Sequence, residues 1–330
     1  MMAKVRMLAL AAALAAMPVA ATAQQATLKV VSFVPKQVGY SQTLQKLFVD
    51  KVNGDPKSPI KIDFAGGPEV TPPSELGRAV KAGVIDMQLG PPGLWLNLVP
   101  EGDAIFGSNL TPAERRANGG MDLLNQIFAK KLNSTILGHA AGGFGFHIFL
   151  KDKPKLAADG NLDLKGVKIR VAPAWRDFVQ LLGGTGIVTP APEVYTALER
   201  GTVDGTGWPI NGLRDFGWNK FVKYRVDPQF MQTDVLLIIN NEKLNTLSPA
   251  QKAYLLKAGL DYEKESYAAE ARITKDEDAK LRAAGMEVVE LKGEGRKKYL
   301  AAAYAIPWKR LKERDASNYD ALRAKFYKAE

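Results

Sequence analysis

Short apolar runs of period two alternate with segments of helical period along most of this chain, and that alternation limits its fold more than any other feature. Leu28 to Phe33 is an apolar strand, and Tyr40 to Val52 places Leu44, Leu47 and Phe48 at helical spacing. Ile60 to Ala65 alternates again, Ser74 to Ala82 reads as a helix, and Ile85 to Leu89 as a strand. A second pass opens at Val167 to Val171, with helices over Trp175 to Leu182 and Val194 to Arg200. The pattern predicts α/β lobes, each built on a largely parallel sheet flanked by helices. Thr111-Pro112-Ala113-Glu114 and Ser248-Pro249-Ala250-Gln251 each set an N-cap, a proline at the first helical position and an acid or amide two residues on. From Pro249 to Ala284 there is no second proline and one glycine, Gly259, which predicts one long helix.

The N-terminus reads as an export leader. Lys4 and Arg6 precede the apolar run Met7 to Ala16, Pro18 breaks it, and Ala21 and Ala23 supply small residues before a cleavage site after Ala23. The run is too short for the ~20 residues that a membrane span needs. Removing residues 1–23 leaves about 307, more than one core usually organises, so two lobes are expected. The chain has no cysteine, which excludes disulfides, thiolate chemistry and a lipoprotein anchor.

The formal charge is +10. The basic residues are dispersed among acids, as in Lys312-Glu313-Arg314-Asp315, with no aromatic-interleaved basic stripe, so nucleic acid is not the expected partner. A positive field that draws in anionic solutes is the better use of the excess. There is no nucleophile elbow, and Gly142-Gly143-Phe144-Gly145 follows no phosphate-binding pattern. With His139 and His147 the only histidines and no cysteine, no metal site or cofactor is expected. The reading is a binding protein and not an enzyme.

Three segments together resemble the extracytoplasmic solute-binding proteins of TRAP transporters. They are Leu164-Lys-Gly-Val-Lys-Ile-Arg-Val171, Glu193-Val-Tyr-Thr-Ala-Leu-Glu-Arg-Gly-Thr-Val-Asp-Gly205, and the apolar strand from Leu236 running into Asn240-Asn-Glu-Lys-Leu-Asn-Thr-Leu247. The resemblance implies a two-lobed periplasmic-binding-protein-like fold with an interlobe cleft and a long helix spanning both lobes. It puts lobe I at 24–147 plus 236–275 and lobe II at 148–235 plus 276–330. It also implies periplasmic capture of a small carboxylate and its delivery to the membrane subunits of an ion-gradient-driven transporter. A sensor or adaptor that presents the solute to a receptor would carry the same sequence.

By the same resemblance Arg170 matches the family's carboxylate-clamping arginine, whose planar fork of donors suits a carboxylate. Read from position alone, an arginine at period two in a strand is more often a surface ion pair. A second basic position falls on or near His147, with Gly145 and Phe146 as alternatives, and a satisfied buried histidine is the competing role. In Val203-Asp-Gly-Thr-Gly-Trp208-Pro209 the chain departs from the family, because Trp208 stands where an asparagine usually holds ligand. An indole there supplies a rigid apolar wall and one N–H. Glu193 matches a family position, although a glutamate opening a helix also suits the dipole. Phe144, Trp175, Glu69 and Trp95 are further cleft candidates. Without a second firm cation, a monocarboxylate with an apolar, aromatic or modestly hydroxylated remainder is the expected ligand, because a second buried carboxylate would go uncompensated.

Overall fold

A computed structural model describes residues 25–233 and 235–328. The expected leader lies outside the described residues. The strands in chain order are β1 Ala26–Ser32, β2 Ile60–Gly66, β3 Met87–Gly90, β4 Ser134–His139, β5 Gly145–Leu150, β6 Lys155–Leu156 and β7 Leu162–Asp163. They continue with β8 Lys168–Val171, β9 Thr185–Val188, β10 Gly205–Trp208, β11 Tyr224–Gln232, β12 Leu236–Asn240 and β13 Glu287–Glu290. One sheet has the order β2-β1-β3-β12-β4 and the other β13-β11-β5-β10-β8-β9, while β6 and β7 pair apart.

Both sheets are mixed rather than largely parallel, for a topological reason. β1 runs parallel to β2 and β3, and β8 parallel to β9 and β10, as helix-linked strands should. β5 and β12, in contrast, each enter their sheet directly from the other one and pair antiparallel. The chain thus crosses between sheets at residues 140–144 and 233–235, and a third time through the helix Pro249–Ala283.

That helix begins at the expected capping box, in which Ser248 and Gln251 satisfy each other's backbone N–H groups. It reaches both halves. Glu270 accepts from Thr43 Oγ1 at 3.0 Å, and Asp278 pairs with Arg225 of β11. Its one glycine meets Gly138 of β4, and a Cβ on Gly259 would lie 2.7 Å from the Leu137 carbonyl oxygen. Alanine there improves helix propensity by about 1 kcal/mol. The backbone collision should outweigh this and leave Gly259→Ala destabilised by about 1–3 kcal/mol. Urea denaturation checks this, and a stabilised variant would contradict the close approach.

Two apolar clusters make up the core, and neither is confined to one half. One gathers around Leu28, Val30, Leu89, Leu237 and Phe128, the other around Ile148, Ile169, Val171, Phe178 and Phe230. Trp208 and Trp218, carried by the second half, belong to the first cluster and so bind the halves together. The last helix, Tyr319–Phe326, also sends Leu322 and Phe326 into that cluster. Among the described residues no helix is long and apolar enough to cross a membrane.

Candidate functional site

In β8, Ile169 and Val171 enter the second core and Arg170 takes the opposite face, as period two requires. Arg170 nevertheless stays buried, at 3% exposure. Its Nε donates to the Thr189 carbonyl at 2.8 Å, and its guanidinium lies 5.4 Å from the centre of the Trp208 ring. Nη1 is buried without a hydrogen-bond partner, and no carboxylate of the described residues pairs with Arg170. Desolvation pulls its pKa down from 12.5 to about 9. A buried, unpaired guanidinium costs stability unless an anion meets it, so this arrangement is primed for one.

Arg170 lines a cavity of about 370 Å³ at the carboxyl ends of the parallel strands of both sheets, where open α/β sheets place their ligands. The walls are mostly apolar. Phe33, Pro91 and Leu94 come from the first half, and Phe146, Trp175 and Trp208 from the second. Trp208 is fixed in place. Its Nε1 donates to the Asn211 carbonyl at 3.1 Å, and its ring meets Trp218 edge-on at 5.1 Å and Phe216 at 5.6 Å. Trp175 packs on Phe146 with ring centres 4.5 Å apart.

The cavity thus brings together Arg170, Trp175 and Trp208, with Glu193 exposed at its edge. It does not include His147 or Phe144. Period two turns Phe146 toward the cavity and His147 away from it. His147 Nδ1 lies 3.1 Å from the Val226 carbonyl and 2.8 Å from Asp227 Oδ1. Burial works against the Asp227 charge, yet bonds from His147 and Arg225 hold its carboxyl down at about 2. Phe144 packs in the first core, and its carbonyl accepts from Thr233 N–H at 2.9 Å. Glu69 accepts from Gly67 N–H at 2.8 Å, and Trp95 is a core side chain edge-on to Phe128. Arg176 and Arg214 pair with Asp177 and Glu277 instead of entering the cavity. Arg170 is therefore the one basic side chain among the described residues of the lining.

Sequence reasoning missed Phe33, Phe106, Thr189 and Thr233, all on the lining. A signal for part of the wall was present. Pro91, Pro173, Pro190 and Pro209 each follow the end of a strand by one or two residues, and all four line the cavity. Proline ends each ladder at the crevice and fixes the turn that follows. Among the described residues no cluster of metal-ligating side chains occurs.

A two-lobed α/β frame with a mostly apolar cavity and one buried cation between its sheets suits the capture of a small solute. Residues 121–313 match the family model for bacterial extracellular solute-binding protein, family 7 (DctP), and the chain belongs to that family, whose members are receptors and not enzymes. Its solved neighbours are TRAP periplasmic solute-binding proteins. An uncharacterized protein of Haemophilus influenzae is 25% identical over 261 residues, spanning 74% of this chain and 75% of that protein. A monocarboxylate 2-oxoacid-binding periplasmic protein of Nostoc is 27% identical over 228 residues, spanning 62% of this chain and 58% of that one. The solved structure of DctP7, a Bordetella pertussis receptor binding pyroglutamic acid, superposes with a TM-score of 0.79 at 19% identity, covering 91% of this chain and 99% of the other.

Proposed function

We propose that this chain captures a small organic monocarboxylate in the interlobe cavity and delivers it to the membrane subunits of a TRAP-type transporter. The observation that carries the reading is Arg170, a buried guanidinium with an unmet donor in a mostly apolar cavity. A carboxylate would accept from it, Trp208 would cover it, and the aromatic walls would enclose an apolar or aromatic remainder. A second carboxylate would find no cation on the described lining. Pyroglutamic acid and a monocarboxylate 2-oxoacid, the ligands named for two relatives, each carry one carboxylate, which supports the reading.

The two lobes would be 24–147 with 236–275 and 148–235 with 276–330, since the crossovers at 140–144 and 233–235 fall close to those limits. The last helix belongs better with the first lobe, because Phe326 packs against Gly120 there.

A thermal-shift series tests the ligand class. The probes are 4-methylpentanoate, its 2-hydroxy derivative and phenylacetate, set against succinate and malate. A ligand at ~100 times its Kd adds about 2.7 kcal/mol of stability. The monocarboxylates should raise Tm and the dicarboxylates should not. Strong stabilisation by the dicarboxylates alone would overturn the reading.

A further inference from the structure

Thr233 joins the two crossovers beside the cavity. Its N–H donates to the Phe144 carbonyl at 2.9 Å and its Oγ1 to the Ala141 carbonyl. Its own carbonyl lies 2.9 Å from His139 Nε2. His139 is enclosed, at 1% exposure, with Nδ1 3.1 Å from Arg115 Nη2. A guanidinium can only donate, so Nδ1 carries the lone pair and Nε2 the proton that Thr233 accepts. Arg115, itself fully buried, also donates to Gln232 Oε1 at 3.2 Å, and the Gln232 amide donates to the Leu110 carbonyl at 3.0 Å. Ala141 on the first passage and Met231 near the end of β11, just before the second, hold φ of 51° and 47°, a region that side chains with a Cβ rarely adopt without support. Thr233 and Val235 line the cavity, whereas Arg115 and His139 do not.

We propose that Arg115 and His139 are positioning residues for solute capture: through the Thr233 carbonyl they hold the two crossovers in the register that sets Thr233 and Val235 on the cavity wall. This rests on the reading that the cavity captures a carboxylate between the lobes. A proton on His139 works against that register. It removes the lone pair that Arg115 uses and adds a charge beside Arg115 and Arg116 of the helix Pro112–Ala117. From the long helix, Glu263 accepts from the His139 backbone N–H at 2.6 Å and is already paired with Arg116. From the end of β11 and the crossover come the uncharged Gln232 and Thr233. Burial first and Arg115 second hold the His139 pKa well below 6.5. The capture-ready form thus keeps the ring neutral, whereas an unliganded form that lets go of the Thr233 carbonyl returns His139 toward its ordinary pKa; proton uptake by that second form makes affinity fall as pH drops below about 6.5, with a limit of about tenfold per pH unit for one proton.

Calorimetric titration of 4-methylpentanoate and phenylacetate between pH 7.5 and 5.0 tests this, since both probes stay mostly ionised above pH ~5. Wild type should weaken toward the acid end, by the same factor for both probes. His139→Gln keeps a donor and an acceptor, so it should retain most of the affinity at pH 7.5 and lose the pH slope. His139→Leu should lose about tenfold for both probes alike, the usual scale of one lost hydrogen bond. A flat wild-type profile, an unchanged slope in His139→Gln, or a loss confined to one probe would overturn the proposal. If His139→Leu does not fold, the comparison of wild type with His139→Gln decides. Failure of both probes to bind wild type at pH 7.5 would instead overturn the ligand reading on which the proposal rests.

Discussion

Arg170→Ala should abolish high-affinity capture while leaving the fold intact. Removing one partner of a desolvated charge pair costs about 2–5 kcal/mol, roughly 30-fold to several thousand-fold in Kd. The same substitution should not destabilise the unliganded protein in proportion. Among the described residues Arg170 donates from Nε to Thr189 and has no carboxylate partner for its buried charge. Truncating it removes a desolvated cation along with that bond, and the two effects oppose each other. Calorimetry for affinity and urea denaturation for stability check both halves. Unchanged affinity would take Arg170 out of the site.

Arg310→Ala should produce the largest loss of stability. Arg310, on the helix Gly293–Arg314, donates through Nε to Asp103 Oδ2 at 2.8 Å and through Nη2 to Oδ1. Its Nη1 donates to the Ala174 carbonyl at 2.7 Å. Asp103 has no exposed surface, and burial raises its pKa against the pull of Arg310. Breaking such a pair by removing one partner costs about 3–5 kcal/mol. The pH dependence follows from the sign of that shift. Without Arg310 the raised folded-state pKa of Asp103 favours the protonated form, so the variant's deficit should be small near pH 4 and grow as the carboxyl ionises at higher pH. A deficit independent of pH would point to lost packing alone. Because Asp103 and Phe106 share one helix and Ala174 adjoins Trp175, Arg310 also ties opposite cavity walls together. The variant should therefore bind ligand more weakly as well.

The architecture was legible where local signals are strong. Periodicity placed β1, β2 and β8, and the capping box marked the start of the long helix at Pro249. The antiparallel entry of β5 and β12 was not legible, because strand direction depends on which sheet the chain has just left. Arg170, Trp175 and Trp208, named from a resemblance carried by the segments around β8 and β10, all line the cavity. His147 shows the limit of such reading. A single residue of register separates it from Phe146, and that one step moves a side chain from the cavity to the opposite face. Phe33 and Phe106 were invisible for another reason. Each looks like an ordinary core residue in its own segment, and only the meeting of distant segments makes it a wall.

The central claim is that Arg170 holds the solute's carboxylate inside this cavity. A crystal structure of the protein with the monocarboxylate that gives the largest thermal shift tests it directly. The account predicts a carboxylate within hydrogen-bond distance of the Arg170 Nη atoms, beside the Trp208 ring, with the remainder of the ligand against Trp175 and Phe146. A carboxylate turned to solvent, or a ligand seated away from Arg170, would contradict it.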